Sequence, residues 1–158
     1  MRSSGNCKLE VGVATDAIAL RGDGTVMLDH VSITVTDLTR AERFYDAIFT
    51  ALGVVKVGSD HADGWIGYGE RCDADHPARS YLSIRPGPKP ESAPRRHWCF
   101  KAPSRATVDA FWLAGIAHGG ADNGHPGLRP DYHASYYGAF LTDPDGNQVE
   151  AVCHQAQA

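Results

Sequence analysis

The chain has 158 residues, 42% of them hydrophobic, with a mean hydropathy of -0.31 and a net charge of -4. This is the composition of one folded globular domain, or of two small halves sharing a core, and no apolar run approaches the ~20 residues that a membrane span needs. Lys and Arg are scattered and their densest spot is Arg95-Arg96, so neither nucleic acid nor a membrane is an expected partner.

Residues 1–26 are rich in Ser, Gly, Asp and Thr, and the apolar stretch from Val11 to Leu20 is broken by Thr15 and Asp16. This stretch lacks the unbroken apolar core of a secretory segment and reads as a poorly ordered extension, with the functional domain, residues 27–158, beginning at Met27. Leu28 to Thr36 alternates, with Val31, Ile33 and Val35 on one side and His30, Ser32 and Thr34 on the other, which predicts a half-buried strand. Asp37 supplies a cap for a helix whose apolar face is Ala41, Phe44, Tyr45, Ile48 and Leu52, stopped by Gly53. Val54–Gly58, Trp65–Glu70 and Ser80–Arg85 follow as short strands. Prolines at 86, 88, 90 and 94 mark residues 86–95 as a stiff linker.

The second half replays the first. At an offset of 67 residues His30 falls on His97, Asp37 on Ser104, Phe44 on Phe111, Tyr45 on Trp112, Gly53 on Gly120 and Ser83 on Glu150, without a gap. Trp98, Phe100 and Ala102 are the apolar face of a strand, with His97, Cys99 and Lys101 opposite. Ser104 caps a helix with the stripe Val108, Phe111, Trp112 and Ile116, ending at Gly119-Gly120. A Gly- and Pro-rich loop is expected from Asn123 to about Ser135, then strands over Tyr136–Thr142 and Asn147–Cys153 around an Asp143-Pro144-Asp145-Gly146 turn. A repeat of this kind predicts the fold before any single residue does. The expectation is an α+β domain of two βαβββ modules, 27–85 and 96–154, forming curved sheets around a cup-shaped site. Trp65, Trp98 and Trp112 are expected in the core, and His61, His76, His118 and His154 on the surface. Cys7, Cys72, Cys99 and Cys153 form no C-x-x-C pair; Cys99 and Cys153 lie within strands and read as small buried hydrophobes in a reducing cytoplasm.

Three metal-ligating side chains fall on the polar strand faces. His30 and His97 occupy the same place in the two repeats, and Glu150 stands between Val149 and Ala151, where an unpaired carboxylate is costly and a cation offsets the cost. Two imidazoles and one carboxylate suit Zn²⁺ or Fe²⁺, Mn²⁺, Ni²⁺ or Co²⁺. The loop from Gly124 to Ser135 adds a second set. Its Arg129 suits a carboxylate or phosphate, Tyr132 lies beside it, and His133 with Tyr136 just beyond are general acid–base candidates; a mobile flap is expected there. His125 reads as solvated.

With Leu28-Asp29-His30-Val31, Phe44-Tyr45-Asp46, His97 opening the second half and Asp143 to Glu150 closing it, the chain resembles the vicinal oxygen chelate superfamily over residues 27–154. That group holds glyoxalase I, extradiol dioxygenases, fosfomycin-modifying enzymes and bleomycin-resistance proteins. The resemblance implies metal ligands at His30, His97 and Glu150, and a homodimer. Glyoxalase I has a fourth ligand, a carboxylate, where this chain has Ser83, a departure that argues against a standard glyoxalase I and makes Ser83 a substrate-side position. The expected function is a metal-dependent glyoxalase- or dioxygenase-like enzyme, a lyase or an oxidoreductase, chelating a small oxygen-rich substrate. The other reading is a metal-free small-molecule-binding protein of the bleomycin-resistance type.

Overall fold

A computed structural model describes residues 27–91, 93 and 95–156. The expected extension, 1–26, lies outside the described residues. Module one is β1 (His30–Val35), α1 (Leu38–Leu52), β2 (Lys56–Asp60), β3 (Trp65–Gly69) and β4 (Tyr81–Pro86). Module two is β5 (His97–Lys101), α2 (Arg105–Ala117), β6 (Ala121–Leu128), β7 (Tyr137–Thr142) and β8 (Gln148–Cys153). The sheets run β1-β4-β3-β2 and β5-β8-β7-β6, each with one parallel pair, β1 with β4 and β5 with β8. This is the expected pair of βαβββ modules; the sheets do not close into a barrel.

Local chemistry explains the helices. The Asp37 carboxylate accepts the Arg40 amide at 2.9 Å, and Gly53 closes α1 in the left-handed region at φ 73°, where its N–H reaches the Phe49 and Thr50 carbonyls. Ala41, Phe44, Tyr45 and Ile48 are fully buried, as expected from their spacing. Ser104 caps α2 through the Thr107 amide. Its buried face is Val108, Phe111 and Gly115, whereas Ile116, expected in the stripe, is exposed. Gly115 faces Ile48 and Phe44 of α1 and Leu141 of β7, and this close helix–helix approach turns Ile116 outward.

The seam between the modules is therefore helix on helix, extended by Phe49 of α1 against Phe100 of β5, ring centroids 5.0 Å apart. The β7–β8 turn adds a polar clamp. Asp143 accepts the Tyr45 hydroxyl at 2.9 Å, Asp145 accepts Arg40 and the Thr36 hydroxyl, and Asn147 Nδ2 donates to the Thr34 carbonyl at 3.0 Å. Burial foremost, and then Asp143, keeps the Tyr45 phenol well above its ordinary range, so it remains a donor. Each helix covers one face of its own sheet, and the other face of each sheet turns away from the seam.

Two expectations are corrected. Residues 123–128, expected as loop, belong instead to the edge strand β6, paired with β7 through bulges around Gly124. An edge position and bulges accommodate Gly124, Pro126 and Gly127, so only 129–136 remains as connector. Trp65 is not a core residue: it stands half-buried on the open face of its sheet, whereas Trp98 and Trp112 pack against the core.

Candidate functional site

The open face of module two carries a small polar cluster. His97 begins β5, and its Nδ1 lies 3.1 Å from the Arg95 carbonyl. Arg95 is the one non-glycine described residue with positive φ, at 73°, a conformation that costs roughly 1–2 kcal/mol and delivers that carbonyl to the ring. With Nδ1–H donating there, Nε2 faces Glu150 Oε2 at 2.9 Å. The ring therefore bridges the Arg95 carbonyl on one side and the Glu150 carboxylate on the other. Glu150 is 2% exposed, and among the described residues His97 is the one basic side chain paired with its carboxylate. Its other oxygen accepts the Tyr136 hydroxyl at 2.5 Å. A Cβ on Gly138 would meet both Glu150 Oε1 and Tyr136 Cε1 at 3.2 Å, so this glycine makes room for the pair. Burial and then the Glu150 carboxylate raise the Tyr136 phenol, leaving it a proton donor. Cys99 is exposed on this face rather than buried as expected, and desolvation at its sulfur, then Glu150, push its thiol up to about 12.

His30 opens β1 on the other sheet. Its Nδ1 lies 2.6 Å from Asp29 Oδ1, so its Nε2 is the presented nitrogen. The His30 hydrogen bond, then one from Cys72, holds the Asp29 carboxyl below its usual range. Ser83 is 3% exposed and its Oγ accepts Arg85 Nε at 3.0 Å. A cavity of about 350 Å³ opens beside these residues.

The structure thus joins His97 to Glu150 and places His30 on the opposite module. Among the described residues no group of three His, Cys, Asp or Glu within one chain could hold a metal ion. The connector residues divide likewise. Tyr136 touches Glu150, and His133 packs edge-on to Tyr136 at 5.5 Å while its Nε2 lies 2.9 Å from His154 Nδ1. His154 is exposed but engaged by this pair. Arg129 donates to the His125 and Leu128 carbonyls and lies over Phe140, and Tyr132 is 67% exposed, 4.7 Å from the Tyr136 ring. His125 is exposed and pairs with Asp122 at 3.2 Å. Asp29 and Arg95, which orient the two imidazoles, were missed from sequence. Asp29 is adjacent to His30 and was legible, whereas a backbone carbonyl in a left-handed turn leaves no residue-type signal.

The family model for the Glyoxalase/Bleomycin resistance protein/Dioxygenase superfamily matches residues 27–151. A glyoxalase/bleomycin resistance protein from Albidiferax ferrireducens T118 is 31% identical, covering 80% of this chain and 97% of its own, with a TM-score of 0.64. A putative glyoxalase from Bacillus halodurans is 25% identical over 80% of this chain and 94% of its own, TM-score 0.57. A glutamate-to-glutamine mutant of the fosfomycin resistance protein FosX from Listeria monocytogenes, complexed with Mn(II) and 1S,2S-dihydroxypropylphosphonic acid, shares the fold at 16% identity and TM-score 0.57, covering 81% of this chain and 90% of its own. No curated protein matches the sequence.

Proposed function

The chain belongs to the Glyoxalase/Bleomycin resistance protein/Dioxygenase superfamily, and we propose that it is a metal-dependent enzyme of that group acting on a small oxygen-rich molecule. The divalent cation is held by His97 and Glu150 of one chain and His30 of a second copy. One observation carries the reading: both imidazoles are fixed at Nδ1 by an acceptor, Asp29 for His30 and the Arg95 carbonyl for His97, so both present Nε2. Metal-ligating histidines are oriented in this way, and the outer partner fixes the tautomer. The buried Glu150 carboxylate completes a donor set that fits a divalent cation.

The open faces of the two sheets point away from a shared helical seam, so a site needing both is built when sheet one of one chain meets sheet two of another. A two-fold dimer makes that contact twice and yields two equal sites. When bound, the cation polarises two neighbouring substrate oxygens. Tyr136 holds a proton at Glu150 Oε1 and is the proton-handling group, with His133 beside it. Ser83 is occupied by Arg85 and leaves the fourth ligand position to solvent or substrate.

The test is elemental analysis of protein purified without a tag. Wild type carries one divalent metal per chain, and the metal found (Zn, Fe, Mn, Ni or Co) identifies the cation. His30→Ala, His97→Ala and Glu150→Ala each lose it. Metal content equal to wild type in all three variants refutes the assignment, and a metal-free wild type returns the chain to the binding-protein reading.

A further inference from the structure

We propose that the cavity on the open face of module one is an anion site, in which Arg71 and Arg85 take the carboxylate, phosphonate or phosphate of a small substrate. The substrate identity rests on the metal reading above, because His30 lines the same cavity; the anion site itself does not.

The sheet is built to leave this space. Across its four strands Ser32 pairs with Ser83, Ser83 with Gly67 and Gly67 with Gly58, a row of small residues over which larger neighbouring side chains can fold. The two glycines are each covered by an aromatic ring. A Cβ on Gly67 would strike the Tyr81 phenol, and one on Gly58 would meet the Trp65 ring at 3.2 Å. Tyr81 and Trp65 therefore lie down against the sheet and form a platform. Arg71 rests on it, its guanidinium carbon 4.6 Å from the Tyr81 centroid and 5.9 Å from that of Trp65, with Nη2 donating to the Tyr81 hydroxyl at 3.2 Å. Stacking of this kind fixes the plane of a guanidinium while leaving N–H groups along its edge free to donate.

Arg85 enters from β4. Its Nε is spent on the buried Ser83 hydroxyl, which orients the fork. Neither arginine has a carboxylate partner among the described residues. The one carboxylate lining the cavity, Asp29, is committed to His30 at 2.6 Å. Two oriented, unneutralised guanidinium groups around a pocket of about 350 Å³ are the arrangement that binds an oxyanion through charge-assisted hydrogen bonds. The aromatic platform favours a compact anion with an apolar or planar portion over a hydrated inorganic one.

The test uses metal-free wild-type protein and follows tryptophan fluorescence during titration with methylphosphonate, with acetate, and with neutral dimethyl methylphosphonate at constant ionic strength. One or both anions give a saturable change and the neutral ester gives none; the stronger anion distinguishes phosphonate from carboxylate. Arg71→Gln and Arg85→Gln each weaken binding by about tenfold or more, the value of a hydrogen bond to a charged group. Trp65→Phe removes the signal, which places the ion at this cavity. Both arginines are exposed, and unchanged thermal melting verifies that the variants fold. Failure of both anions to bind, or binding unaffected by either arginine substitution, overturns the proposal. Metal content is measured separately: anion binding in a protein that never loads metal refutes only the metal reading, and metal loading without anion binding refutes only this one.

Discussion

If the metal site is shared between chains, two defective variants repair each other. His30→Ala removes a ligand from module one and Glu150→Ala removes one from module two, and each homodimer then has two broken sites. In a heterodimer the defects segregate. One site receives both lesions, and the other receives an intact His30 from one chain with an intact His97 and Glu150 from its partner. Random reassortment makes about half of the dimers mixed, and one of two sites is intact in each, so the mixture recovers about a quarter of the wild-type metal. A mixed dimer isolated through two different affinity tags carries one metal where wild type carries two. The assay is co-refolding of equal amounts of the two variants followed by elemental analysis, with native mass spectrometry to count mixed dimers. Mixed dimers that form and remain metal-free would refute the reasoning, since a site contained within one chain cannot be rescued by another.

Tyr136→Phe removes the donor to Glu150 Oε1 while keeping the ring against His133 and Tyr132. Metal affinity is expected to fall by about 10–100-fold, typical for loss of an outer partner of a ligand, with little change in melting temperature; metal titration by competition with a chromophoric chelator measures it. Glu42 on α1 accepts Lys56 Nζ at 2.6 Å and His61 Nε2 at 2.7 Å. Partial burial works to raise its carboxyl, but these donors and Ser59 outweigh it and hold it at about 2, below the ordinary 4.5. Because the folded value is depressed, the stabilisation is complete above about 4.5 and is lost as pH falls towards about 2. Glu42→Gln is expected to cost about 1 kcal/mol at neutral pH, after allowance for solvent screening, with the difference vanishing near the acid end; urea melts across that range check it.

Legibility in the sequence followed the strength of local constraint. The first helix was legible in its cap, its glycine stop and five residues of its apolar face, which agree with one another, while Leu38 and Phe49, also buried, fall outside the expected stripe. In the second helix the face was misjudged by one position. A pattern of large apolar residues points to Ile116, while the contact that decides the packing is made by Gly115, which has no side chain to signal it. The β6 strand was hidden for a related reason: Gly124, Pro126 and Gly127 have poor strand propensity, and only pairing with β7 makes them a strand. The repeat carried the missing signal, since the offset of 67 that matches His30 to His97 also lays β2 on residues 123–127. His30, His97 and Glu150 were legible as polar residues on alternating strands. Arg71 was not, because it lies beyond the end of β3, and only the folded platform of Trp65 and Tyr81 brings it over the sheet.

The polar clamp explains why a single chain does not fold its two cups together. Asp143, Asp145 and Asn147 are fastened to Tyr45, Arg40, Thr36 and the Thr34 carbonyl, residues about a hundred positions away, and Asp143 and Asp145 are nearly inaccessible to water. Breaking such a buried network costs more than its net contribution, because the partners left behind are desolvated and unpaired. The helix-on-helix seam and the clamp therefore fix the two open faces in divergent directions. If the metal ligands are divided between those faces as proposed, a second molecule completes the set. Under that arrangement metal binding and dimerisation are linked equilibria: whatever affinity the metal has for the assembled site adds to the stability of the dimer by mass action. Stripping the metal should then weaken the dimer, and dilution should release metal, from the same pair of sheets.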